Sequence, residues 1–202
     1  MDVPAILYLA GLVFSETLRL PRRVRRVRSS RAWSRTSLPN RLPEFLVLGA
    51  VLIGIWALPV VYVFTDWLKP FDYSLPAWAT WLGACVFLVS LAIRWKAQHD
   101  LGGQWSFTLE TAEGHRLVTG GIYACVRHPI YTSLILWAAA QPFLLHNLVA
   151  GWSGAVAVAL IWLIRVPREE QLMLEKFGGE YRQYMARTGK LIPKGCSGRP
   201  AG

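Results

Sequence analysis

Two stretches of this chain hold side chains of the kind that chemistry needs. The first is Val118-Thr119-Gly120-Gly121-Ile122-Tyr123, followed by Arg127-His128-Pro129-Ile130-Tyr131. Paired glycines turn a backbone. Pro129 suits the first position of a helix, where a missing N–H costs nothing. The free N–H groups of such a helix start favour an anion, for example a ligand carboxylate. The second stretch is Arg165-Val166-Pro167-Arg168-Glu169-Glu170. Arg165 and Glu169 are four apart, and share a helical face if Pro167 lies in a first turn or at a kink. A guanidinium there can clamp a carboxylate with two parallel hydrogen bonds.

Each of these residues also has a plainer role. His128 before a proline is a turn residue by default. Tyr123 and Tyr131 are either headgroup-belt aromatics or ring faces for a cation. Charges at the end of a span reach the headgroups without further purpose. Cys125 and His128 are spaced C-x-x-H, but no second pair follows. A zinc site needs about four ligands, so no metal centre is expected. His99 and His146 have no partner pattern and are read as structural. No G-x-G-x-x-G follows a strand, and no segment is strand-rich, which excludes the soluble nucleotide-binding folds.

The elements that carry these stretches are apolar helices. Hydrophobic residues make up 53% of the chain and charged residues 17%, too apolar for an ordinary soluble domain. Residues 45–64 and 73–93 contain no charge, and each meets the roughly 20 residues a span needs. Residues 3–18 form a shorter run, with Glu16 placed near the headgroups. Its basic flank follows the apolar run, the wrong polarity for a cleaved signal and the right one for a retained span. Residues 129–164 lack Asp, Glu, Lys and Arg altogether. As one helix they would reach about 54 Å, against a hydrocarbon core of about 30 Å. Two helices with a tight turn at His146-Asn147 fit better, with Pro142 kinking the first. The expectation is an all-α membrane bundle of about five spans, with a cofactor-binding loop and C-terminal helices. Its parts are N-terminal spans with a polybasic loop (1–97), a core (98–193) and a flexible tail (194–202).

Charge orients the bundle. The formal net charge is +10. Nine arginines lie in 19–41, four basic residues in 94–128 and eight in 165–202, which leaves Lys69 alone. Five spans put those three segments on one side, which the positive-inside rule makes cytosolic, with the N-terminus opposite. Basic residues flanking apolar runs point to anionic lipid rather than nucleic acid. The arginine cluster is read as a topology anchor. The three cysteines, Cys85, Cys125 and Cys196, form no paired framework, so no disulfide is expected. Apolar residues 177, 181 and 184 suit a helical stripe, and Gly178-Gly179 should break that helix. The segment is either a surface helix on the bundle or a lid over a membrane-facing site.

Taken together, His115-Arg116-Leu117-Val118-Thr119-Gly120-Gly121-Ile122-Tyr123, Arg127-His128-Pro129-Ile130-Tyr131, Glu169-Glu170 and Phe177-Gly178 with Tyr181 and Tyr184 resemble the isoprenylcysteine carboxyl methyltransferase family. The resemblance covers about residues 98–193. It implies an integral membrane enzyme that uses S-adenosyl-L-methionine. Carried over position by position, His115, Arg116, Leu117, Val118, Tyr123, His128, Pro129, Ile130, Tyr131 and Glu169 would hold the cofactor. Arg165 would be the substrate-side arginine at the membrane face, with Arg127 beside it as a second catalytic candidate. Glu110 corresponds loosely to a polar cofactor contact, and Ile130 stands where the prenylcysteine enzymes usually carry a small polar residue. The implied acceptor is a lipophilic substrate, a carboxylate as in isoprenylcysteine O-methylation. Its rivals are a phospholipid amine or small thiol, an NADPH-dependent membrane reductase, and a non-catalytic membrane protein. The oligomeric state is not legible in the sequence.

Overall fold

A computed structural model of the chain describes residues 2–18, 42–102 and 117–194. These form five helices in the expected order: α1 (Val3–Thr17), α2 (Leu42–Phe64), α3 (Ala77–Leu101), α4 (Pro129–Leu145) and α5 (Leu148–Arg187). Among the described residues the only β-pairings are two isolated bridges. α2, α3 and α5 are long and apolar enough to cross a membrane, whereas α1 and α4 are apolar but have 15 and 17 residues. Large apolar side chains such as Leu46, Trp81, Leu88 and Leu163 point outward, as expected where lipid replaces water. Two boundaries differ from expectation. α3 begins later than residue 73 and runs on to Leu101, because no helix breaker occurs before Gly102. Cys85 is a free thiol.

Prolines inside α2 and α5 shape both helices. Pro59 has no N–H to offer Ile55, four residues back, or Gly54, five back. The preceding segment Leu52–Ala57 is π-helical. Both freed carbonyls find side-chain donors: Tyr8 Oη donates to Ile55 O at 2.8 Å, and Gln141 Nε2 and Ser153 Oγ donate to Gly54 O at 2.9 and 2.7 Å. A carbonyl left bare in the apolar interior would cost several kcal/mol, about the penalty of a polar group in hydrocarbon. These bonds tie α1, α4 and α5 to α2. Tyr8, Phe87 and Trp137 complete the knot as an aromatic triple, with Phe87 and Trp137 edge-on at 4.7 Å. α3 and α4 approach closely at Gly83, where any Cβ would overlap Phe143.

The α4–α5 turn falls at His146-Asn147, as expected. His146 takes the left-handed conformation at φ 45°. The Asn147 side chain accepts from the N–H of Val149 and Ala150, capping α5, and donates to Leu68 O and Asp72 Oδ1. In α5, Pro167 follows a second π-helical turn, Ile161–Arg165, by the same loss of a donor. Gly178, at φ 51° and ψ −118°, kinks the helix. Only glycine adopts that conformation without strain. The kink turns Tyr181 and Tyr184 inward, where both are buried.

Candidate active site

The site forms where the start of α4, the middle of α5 and the chain after α5 meet. His128 caps α4, and its carbonyl accepts the first helical bond, from Thr132 N at 3.0 Å. Pro129 has no N–H. The first-turn N–H groups of Ile130 and Tyr131 make no backbone hydrogen bond among the described residues. Tyr123 lies on the 3-10 turn Gly121–Ala124 just before, buried, with its carbonyl held by Tyr184 Oη at 2.7 Å. Leu117 and Val118 lead into that turn, partly buried. His115, Arg116, Glu110 and the arginine-rich segment 19–41 lie outside the described residues.

Two adjacent acids on α5 face different partners, because neighbouring helical residues diverge by about 100°. Glu169 accepts a short hydrogen bond from Tyr131 Oη through Oε2. Its Oε1 has no partner among the described residues. Tyr131 Oη in turn accepts from Arg165 Nε at 3.0 Å. Arg165 Nη1 lies 4.0 Å from Glu44 Oε1 on α2, and both side chains are almost buried.

Glu170 points the other way, towards two cations and an imidazole. His128 Nε2 lies 3.2 Å and Arg127 Nη2 3.4 Å from Oε1, and Lys190 Nζ lies 2.8 Å from Oε2. Burial alone would raise this carboxyl. The hydrogen bonds from His128 and Lys190 outweigh burial and hold it at about 2. The His128 ring also stacks on Tyr131 at 5.5 Å, so the two acids are joined through stacked rings.

A strap after α5 fixes the loop from outside. Gly189 N donates to Cys125 O, Arg127 N to Gly189 O at 2.8 Å, and His128 N to Lys190 O at 3.2 Å. Thr132 Oγ1 donates to Leu191 O. The Arg127 guanidinium closes the same joint, donating to Met185 O and Thr188 O at 3.0 and 2.6 Å. Asp100, at the end of α3, accepts from Ile122 N at 2.7 Å and pairs with Lys96, anchoring the loop's other end. Gly121, at φ 60°, leaves no room beside Asp100 for a Cβ.

The structure thus brings Tyr123, His128, Pro129, Ile130, Tyr131, Arg165 and Glu169 around one cluster. It spends the charge of Arg127 on helix-end carbonyls and Glu170. Glu44, Asp100 and Lys190 were not singled out in the sequence. No local pattern marks them, since each acts across helices or through a backbone strap. Among the described residues no group of three or more His, Cys, Asp or Glu could hold a metal. The cluster offers helix-start N–H groups that suit a carboxylate, a carboxylate oxygen that suits an ammonium, and aromatic rings that suit a cation.

Known proteins resemble this chain in sequence and in fold. The family model described as the isoprenylcysteine carboxyl methyltransferase family matches residues 81–175. Protein-S-isoprenylcysteine O-methyltransferase of Saccharomyces cerevisiae is 32% identical over 138 residues, 65% of this chain and 56% of that one. The Homo sapiens protein of that name is 28% identical over 161 residues, 75% of this chain and 56% of its own. The chain spans little more than half the length of these relatives. Among solved structures, a eukaryotic intramembrane Ras methyltransferase, isoprenylcysteine carboxyl methyltransferase, superposes with a TM-score of 0.54 at 25% identity. The match covers 78% of this chain and 55% of that one.

Proposed function

We propose that this chain, which is similar over residues 81–175 to the isoprenylcysteine carboxyl methyltransferase family, methylates a lipophilic carboxylate from S-adenosyl-L-methionine at the membrane's cytosolic face. The observation that carries this proposal is the convergence of the α4 start, Glu169 and Arg165 on one cluster. Bound S-adenosyl-L-methionine supplies an electrophilic sulfonium methyl group. The N–H groups of Ile130 and Tyr131 would bind its carboxylate, and Glu169 Oε1 its ammonium. His115, Arg116, Leu117, Val118 and Tyr123 would frame the rest, with His128 and Pro129 setting the helix start.

Arg165 sits where α5 leaves its apolar stretch, the level at which an acceptor with a lipid tail would present its head. Its guanidinium would hold an acceptor carboxylate through the Nη edge. Such a carboxylate is ionised at neutral pH, so the chain has no proton to remove and no general base is required. The protein's contribution is alignment of acceptor and donor. Arg127 and Glu170 act as positioning residues, since both are occupied with holding the loop and strap. The distribution of basic residues supports the cytosolic placement, with Lys69 alone opposite.

Calorimetry tests the cofactor assignment: Glu169→Gln should weaken S-adenosylmethionine binding about tenfold, the cost of one charge-assisted bond. Equal affinity in both proteins would remove Glu169 from the site. Arg165→Ala should lower turnover of a prenylcysteine carboxylate by two or more orders of magnitude, and unchanged turnover would rule out the clamp. An amine acceptor would show a rate that rises with pH towards the amine pKa, and a carboxylate would not.

A further inference from the structure

We propose that the Tyr131 hydroxyl is a positioning group that couples cofactor binding to acceptor binding. This rests on the roles given above to Glu169 and Arg165. The geometry that carries it is a single oxygen with two charged partners. Tyr131 Oη donates to Glu169 Oε2 and accepts from Arg165 Nε at 3.0 Å. A phenol has one proton to give, so both bonds are directional and neither can be exchanged for the other. Arg165 and Glu169 lie on one helix, while Tyr131 comes from another and belongs to the turn whose N–H groups face the cofactor position. The ring is steadied by His128 stacked at 5.5 Å, itself bonded to Glu170.

The consequence is a shared joint. A ligand ammonium at Glu169 Oε1 orders that carboxylate, and through Oε2 it orders the phenol. The phenol orders the plane of the Arg165 guanidinium, because Nε points at it. An acceptor carboxylate arriving at the Nη edge then meets a group already oriented and pays less ordering entropy. By linkage the effect is reciprocal, so acceptor tightens cofactor by the same factor. Arg165 closes the π-helical turn Ile161–Arg165. Glu44 at 4.0 Å would share its charge in the acceptor's absence.

The test uses the full chain in detergent micelles. Calorimetry measures S-adenosylhomocysteine with and without saturating N-acetyl-S-farnesylcysteine. The homocysteine form lacks the sulfonium charge, so direct attraction between the two ligands does not mimic the coupling. In the natural protein the acceptor should tighten S-adenosylhomocysteine by at least about fivefold, the lower end of ordinary coupling. In Tyr131→Phe the factor should fall below about twofold, while each ligand alone loses no more than about tenfold. Equal coupling in Tyr131→Phe overturns the inference and leaves the cofactor assignment intact. Binding of S-adenosylhomocysteine without any coupling in the natural protein overturns it too. No binding of S-adenosylhomocysteine at all overturns both. If Tyr131→Phe does not bind S-adenosylhomocysteine, Arg165→Lys decides, since it keeps the charge and loses the Nε donor: retained coupling there sinks the proposal.

Discussion

At the scale of single residues, the two neighbouring acids Glu169 and Glu170 have separate work, and their variants should behave differently. Glu170 is held near 2 by His128 and Lys190, below its value in an unfolded chain. A lowered acid stabilises the fold fully above the unfolded value of about 4.5, and that stability drains away as pH falls towards 2. Glu170→Gln should therefore cost stability at pH 7, by about 2 kcal/mol for the partners left unsatisfied. Between pH 5 and 3 its thermal midpoint should fall less steeply than that of the natural protein. Parallel acid limbs in thermal scans of the two proteins would contradict this. Lys190→Arg should retain the strap, whereas Lys190→Met should weaken S-adenosylhomocysteine binding several-fold, because Lys190 Nζ holds Glu170 at 2.8 Å.

At the scale of elements, prolines without N–H groups are answered by side chains from other helices. Tyr8→Phe keeps the ring stack with Phe87 and removes the donor to Ile55 O. It should destabilise the detergent-solubilised protein by about 1–3 kcal/mol, the cost of an unsatisfied buried carbonyl, read as a lower thermal midpoint with unchanged helicity. The kink at Gly178 directs the last part of α5 back over the loop, where Tyr184 bonds Tyr123 O. Gly178→Val cannot adopt φ 51° without strain. It should weaken S-adenosylhomocysteine binding more than tenfold while α2 and α3 stay folded. An unaltered affinity would show that the kink does not place the strap.

For the molecule as a whole, the five helices put the candidate site and, among the described residues, most of the basic side chains at one end of the bundle. Lys69 lies at the other end, beside Asp66 at 2.8 Å. In intact cells, a cysteine placed by Lys69→Cys should react with a membrane-impermeant thiol reagent. One placed by Lys176→Cys should react only after the membrane is opened. The opposite pattern would invert the proposed orientation. Removal of residues 188–202 should abolish cofactor binding, since the strap supplies acceptors to the backbone of Arg127 and His128.

Hydropathy, proline placement and glycine placement determined the bundle: helix number and order, the turn at His146-Asn147 and the break at Gly178 follow from local rules of apolar length, capping and backbone freedom. The candidate loop and its acid pair were also legible, because their motifs are short and contiguous. The division of labour between Glu169 and Glu170, the strap through Lys190, the anchor at Asp100, and the Tyr131 hydroxyl shared by Arg165 and Glu169 were decided only by tertiary structure. These depend on which side chains from separate helices reach one point in space, and nothing in the local periodicity of a chain encodes that distance.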